Sequence, residues 1–268
     1  MLRLCGLCKT NSKLLDSHLI PAAFYKAMRE PSLKNPNPVI VRRGDAATSS
    51  AQVRQWFLCI LCERRFHCLG EDWVLRNYAR PDESFPLHEE VNSLRPVASF
   101  QGQSLYSARD VTGIDCEKIE YFASSVFWRA AATKWRNHPF RLEMGPYEEK
   151  LRKYLVGEEC FPANIVMRVV LTTPQSARSI VLLPLTDRRN EMRGFTFLVP
   201  GILFSVILGK HISEQDKLLA FSHPLERIIC ISDAYHQPYI ARIAKTMKDS
   251  APKGDLKNLW KGPDPRKR

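Results

Sequence analysis

The chain has 268 residues, 44% hydrophobic and 10% aromatic, and carries 40 Lys+Arg against 28 Asp+Glu for a formal net charge of +12. That length can bury a substantial core in one or two domains, and the apolar content excludes a globally disordered chain. The basic excess points to a polyanionic partner such as nucleic acid.

The chain opens on a C-x-x-C knuckle, Cys5-Gly6-Leu7-Cys8, expected to turn within Leu2 to Lys9. A short strand at Lys13 to Asp16 should deliver His18, and Pro21 suits the first turn of a helix over Ala22 to Arg29 that Glu30-Pro31 ends. Residues 31–50 hold several prolines, a Gly44-Asp45 turn signal and the basic pair Arg42-Arg43, and read as a mostly irregular loop. Gln52 to Leu58 predicts a strand with Trp56 and Leu58 on one face, leading to a second knuckle, Cys59-Ile60-Leu61-Cys62. A helix from Cys62 would carry Glu63, His67 and Glu71 at four-residue steps on one face, provided that Gly70 does not end it.

Two C-x-x-C pairs suit one tetrahedral zinc held by Cys5, Cys8, Cys59 and Cys62, with an insertion between the knuckles longer than the roughly 15–20 residues of a zinc ribbon. Buried apolar cysteines and a redox pair are the rival readings. The eight cysteines accompany no export signal, so a reducing cytoplasm is expected, and Cys68, Cys116, Cys160 and Cys230 read as buried small residues. Residues 1–80 hold 13 Lys+Arg against 6 Asp+Glu, a net +7. Arg64 and Arg65, with Arg42 and Arg43, are therefore candidate phosphate contacts.

Residues 81–98, rich in proline and polar side chains, read as a linker from this 1–80 unit to an α+β unit over 99–250. A strand near Ser99 to Tyr106 is followed by the most apolar helix, Cys116 to Trp135, whose three- and four-residue stripe reads as core. A second helix is expected over Pro146 to Leu155. Runs at 164–173, 179–185, 193–199, 202–208 and 227–232 then predict an antiparallel sheet of about five strands. Pro200-Gly201 breaks the longest apolar stretch into a hairpin, so no membrane span is expected. A helix over Gln237 to Lys248 precedes a basic tail, 251–268.

The first C-x-x-C, a strand ending in Ser17-His18 before Leu19-Ile20-Pro21, a long loop, and a second C-x-x-C opening a helix together resemble the zinc-stapled HNH, or ββα-metal, nucleases. Ser17-His18-Leu19-Ile20-Pro21 with Cys59-x-x-Cys62-Glu63 and Glu71 is similar to bacterial HNH-related proteins carrying S-H-[IL]-I-P and C-x-x-C-E. The resemblance covers residues 1 to about 80. It implies a structural Zn²⁺ on the four cysteines, His18 as general base for phosphodiester hydrolysis, and a catalytic Mg²⁺ or Mn²⁺. Two departures stand out. Ser17 occupies a place where many members have an acidic ligand, and Glu63 one where His or Asn is common. Glu63, Glu71 and His67 are then the candidate holders of the divalent ion, while the middle Asn of the family has no clear counterpart, Asn35 and Asn37 in the loop being candidates only. The expected partner is nucleic acid, DNA first, and the alternative is a zinc-containing binding module without catalysis.

Overall fold

The computed structural model describes residues 2–259 apart from 43, 110, 139, 177–179 and 190–191, and its architecture is mixed α+β. The first knuckle lies between two short antiparallel strands, β1 (Arg3–Leu4) and β2 (Asn11–Ser12). Strand β3 (Leu14–His18) follows, and then α1 (Ala22–Ala27), with Pro21 as its N-cap. The stretch expected to be irregular forms a hairpin, β4 (Val39–Arg42) and β5 (Asp45–Thr48), turning at Gly44 with φ 95°. The strands are only four residues long, and although β4 carries Val39-Ile40-Val41, β5 reads Asp45-Ala46-Ala47-Thr48 with no apolar alternation, so the pattern did not announce the hairpin.

Strand β6 (Arg54–Cys59) pairs antiparallel with β3 and runs into α2 (Ile60–Phe66). The register slips between Leu15 and Asp16, where Leu58 and Trp56 are the successive partners and Phe57 is the extra residue. That bulge turns both Phe57 and Leu58 inward and leaves Trp56 51% exposed, so Trp56 and Leu58 do not share a face. The helix continues past Gly70 through a π-helical turn, His67–Glu71, into α3 (Asp72–Asn77). Gly70 permits this approach to a neighbouring helix, since a Cβ there would come within 2.8 Å of the Phe122 backbone nitrogen.

In 81–98 the chain forms α4 (Pro86–Asn92), whose Leu87 and Val91 are buried. A hairpin of β7 (Ala98–Phe100) and β8 (Gln103–Ser107) leads to α5 (Cys116–Ala132), where Asp115 caps the Lys118 N–H at 3.0 Å. Helix α6 (Tyr147–Val156) ends on Gly157 in the left-handed region, φ 81°. There follow β9 (Ile165–Leu171), β10 (Leu182–Arg189), β11 (Met192–Val199), β12 (Ile202–Leu208), α7 (Glu214–Leu218) and β13 (Ile228–Ile231). Helix α8 (Asp233–Lys248) starts four residues ahead of expectation. The segment expected to be a tail adds β14 (Ala251–Lys253) and α9 (Leu256–Leu259), while 260–268 lie outside the described residues.

The main sheet runs β10-β11-β12-β9-β13-β8-β7. It is antiparallel except where β13 lies parallel to β9: the chain reverses after β12, but through a connection carrying α7 it returns on the far side of β9 rather than beside β12. Helix α5 is buried between this sheet and the β3–β6–α2 unit. Phe122 and Phe127 meet Phe197 and Phe204 on the sheet side, while Trp128 stacks on Phe57 at 5.3 Å and meets Phe66 edge-on. One hydrophobic core therefore runs from Cys5 to Ile231 and includes Ala79, Phe85, Leu87 and Val91. On the opposite sheet face Tyr239 of α8 packs with Leu105, Val170 and Leu198. Strand β14 pairs parallel with β5, so the hairpin inserted between the knuckles becomes a three-stranded sheet with a strand from the far end of the chain. Among the described residues no helix is long and apolar enough to cross a membrane.

Candidate functional site

The first knuckle is a tight turn. The Cys5 N–H donates to the Thr10 carbonyl at 2.9 Å, the Lys9 N–H returns to the Cys5 carbonyl, and Lys9 takes φ 60°. Gly6 is required by packing, since a Cβ there would lie 2.0 Å from the Phe57 ring. Arg152 of α6 supports the turn from behind by donating to the Leu7 carbonyl at 3.1 Å. The second knuckle begins at the N-cap of α2, and the Cys59 N–H points at Cys5 Sγ at 3.3 Å. The four sulfurs of Cys5, Cys8, Cys59 and Cys62 lie within 4.8 Å of one another, with Cys8 and Cys59 3.9 Å apart. A tetrahedral ion with Zn–S bonds of about 2.3 Å needs sulfurs about 3.8 Å apart, so the set can hold a metal such as zinc. A hydrogen bond from the Cys62 thiol holds Cys5 down to about 4, and the same contact pushes Cys62 up. Four thiolates this close can all ionise only with a cation among them.

His18 stands at the end of β3 opposite Arg54. Its Nε2 lies 2.6 Å from Gln52 Oε1, and its carbonyl accepts from Arg129 Nη1 at 2.9 Å. Burial holds the imidazole pKa below its ordinary value; Arg54 and Arg129 add to this and Gln52 and Asp16 oppose it. The ring is therefore neutral near pH 7. Because an amide oxygen can only accept, Nε2 carries the proton and Nδ1 keeps the lone pair. Its partner Gln52 also lines a cleft of about 540 Å³, together with Asp16, Ser50, Ala51, Arg54, Arg136 and Asn137; His18 itself is not part of that lining. Asp16 pairs with both arginines, and the Arg136 N–H donates to the Arg54 carbonyl, so the segment after α5 forms one wall.

A polar cluster lies behind the strand. Ser17 is buried, its hydroxyl accepting from the Leu58 N–H at 3.2 Å. Burial pushes the Glu63 carboxyl up against the opposing pull of Ser17 and Arg129, and its Oε1 has no hydrogen-bond partner. Glu71 Oε1 lies 2.5 Å from Arg129 Nη2. The Arg129 guanidinium also donates to the Ser125 hydroxyl and carbonyl and sits 4.9 Å over the Phe66 ring. His67 is exposed, and the wide π-helical turn that starts at it breaks the four-residue register that would have aligned it with Glu71. The three residues expected to gather Mg²⁺ or Mn²⁺ are thus not brought together as one ligand set: His67 is exposed, Glu71 is paired with an internal cation, and Glu63 alone keeps a buried oxygen without a partner. Among the described residues no group of three or more His, Cys, Asp or Glu other than the four cysteines comes close enough to hold an ion.

Among the basic candidates Arg64 is exposed, whereas Arg65 is a tie within the fold, donating to the Leu155 carbonyl at 2.8 Å. Arg42 is exposed at the end of β4, far along the insert, and Arg43 lies outside the described residues. Asn35 bonds Thr48 and Asp255, and Asn37 bonds Asn35, so both serve the insert. Of the remaining cysteines Cys230 is buried and Cys116 partly so, but Cys68 and Cys160 are exposed, contrary to expectation. Sequence reasoning did not single out Gln52, Arg54, Arg136 or Arg129. Arg129 alone carried a signal, as an arginine inside the most apolar helix, where a buried cation needs a carboxylate. Compared with known protein families, with curated proteins and with solved structures, the chain matches none.

Proposed function

We propose that the protein acts on the phosphodiester backbone of nucleic acid, with zinc on the four cysteines as a structural staple and His18 as general base. The observation that supports this reading is the imidazole held through Nε2 by Gln52, with no hydrogen bond on Nδ1 among the described residues, since Gln52 also lines the cleft that bears Arg54 and Arg136. Nδ1 would take a proton from water as the water oxygen bonds to phosphorus and the bond to the leaving oxygen breaks. Arg54 and Arg136 would balance charge on the phosphoryl oxygens, and Asp16 holds both in place. The zinc supplies no chemistry in this scheme; it joins the knuckle before β3 to the start of α2, and so fixes the strand that carries His18.

The test is cleavage of plasmid, single-stranded DNA and RNA by zinc-loaded protein, against His18→Ala. Loss of a general base should lower the rate by about 10²–10⁴ while binding persists and weakens with rising salt. A His18→Ala variant as fast as wild type would end the assignment. The second reading, a binding module without cleavage, is favoured by the Arg129–Glu71 pair, which engages the Glu71 carboxylate and leaves Glu63 as the single open carboxylate of the cluster. Salt-dependent binding with no cleavage of any substrate would select it.

A further inference from the structure

We infer that Arg129 is the resident cation of the polar site behind His18, so that this site takes no Mg²⁺ or Mn²⁺. The inference rests on the proposed function only in placing the site at His18. The acceptors around the guanidinium are all oxygens: Glu71 Oε1 at 2.5 Å, the His18 carbonyl at 2.9 Å, the Ser125 hydroxyl at 3.0 Å and the Ser125 carbonyl at 3.3 Å. That is the donor type a hard divalent ion selects. Here it is spent on a side chain that is 1% exposed. Mg²⁺ demands octahedral geometry with oxygens at about 2.0–2.1 Å and keeps several of its waters, which an enclosed guanidinium leaves no room for.

The arrangement also ties three elements at one point. Glu71 belongs to the π-helical turn, His18 ends β3, and Arg129 and Ser125 are one turn apart on α5. A metal there would leave on chelation and its carboxylate ligands would titrate. The arginine is part of the chain and cannot be removed by a chelator. Arg129 is in this sense a positioning residue: it reaches the His18 carbonyl and touches no substrate. The unpartnered Glu63 oxygen is the remaining acceptor that a metal would use once the guanidinium is gone.

Mn²⁺ uptake by the zinc-loaded full chain, read by electron paramagnetic resonance without nucleic acid, tests this separately from cleavage. Wild type, Glu63→Gln and Glu71→Gln should take up equal Mn²⁺, with none bound at this site. Arg129→Ala should gain about one Mn²⁺ per chain, lost again in Arg129→Ala/Glu71→Gln. Uptake by wild type that either Gln substitution removes would overturn the inference, as would a folded Arg129→Ala that gains none. Should Arg129→Ala fail to fold, wild type against Glu63→Gln decides: equal uptake supports the inference and a lost ion refutes it. Because no substrate is present, failure of cleavage leaves this result standing.

Discussion

Two acidic neighbours on one helical run, Glu71 and Asp72, make ion pairs of similar length in opposite settings. Glu71 meets Arg129 at 2.5 Å with side-chain exposures of 12% and 1%, while Asp72 meets Arg76 at 2.6 Å with 45% and 63%. Glu71→Ala strands a guanidinium where water cannot replace the carboxylate, which places the loss at about 3–5 kcal/mol. Asp72→Ala frees an arginine that water already solvates, a loss of about 0.5 kcal/mol or less. Each 1.4 kcal/mol being about tenfold in the equilibrium, the first substitution raises the unfolded fraction by at least about a hundredfold and the second by little more than twofold. Urea titration of zinc-loaded protein, followed by the fluorescence of the buried Trp128 and Trp135, compares them directly. Adding Arg129→Met to Glu71→Ala should recover part of the loss, since the stranded charge goes with it. Equal midpoints for Glu71→Ala and Asp72→Ala would refute the claim that burial makes this pair matter.

Cys59→Ser should release the metal and loosen β6 and the start of α2, measured as zinc per chain and as loss of protection in amide exchange over 54–66; full zinc retention would exclude the four-cysteine site. Acid should also destabilise the fold. His18, His88, His138 and His236 are each held below the ordinary histidine value by burial, so below about pH 6.5 the unfolded chain binds protons that the folded one refuses. Their contribution is complete above that pH and is lost as pH falls through the folded values. Glu63 and Glu120, pushed up by burial, act in the opposite sense in a window that starts near the lower carboxylate range. The urea midpoint should therefore drop from pH 7.5 to pH 6, and a rise would contradict the sign.

What could be read from the chain divides along the range of the forces involved. The knuckles, the α6 boundaries at Pro146 and Gly157, and the β11–β12 turn at Pro200-Gly201 are local, set by ligand spacing and backbone preference. Helix α5 showed its apolar stripe for the same reason, yet the stripe hid Arg129, whose partner Glu71 is 58 residues away. Glu63, His67 and Glu71 looked like one face because a regular helix repeats every 3.6 residues; a π-helical turn, made possible by Gly70 against α5, is a tertiary event. The parallel placement of β13 beside β9 likewise depends on what lies between β12 and β13 in space, which no strand pattern records.

The three-stranded insert has a consequence for biosynthesis. Its hairpin is translated early, but the strand that completes it belongs to the far end of the chain: Asp45 and its Lys253 partner are 208 positions apart, whereas the cysteine pair Cys8 and Cys59 spans 51. At roughly 5–20 residues per second the ribosome needs about 10–40 s to make that interval. Throughout it the nascent protein can close its thiol staple while β5 presents an unpaired edge, the condition in which a strand recruits a neighbouring chain. The short strands and charged ends of the hairpin, with Arg42 and Asp45 at its rim, keep that waiting edge soluble until its own partner arrives.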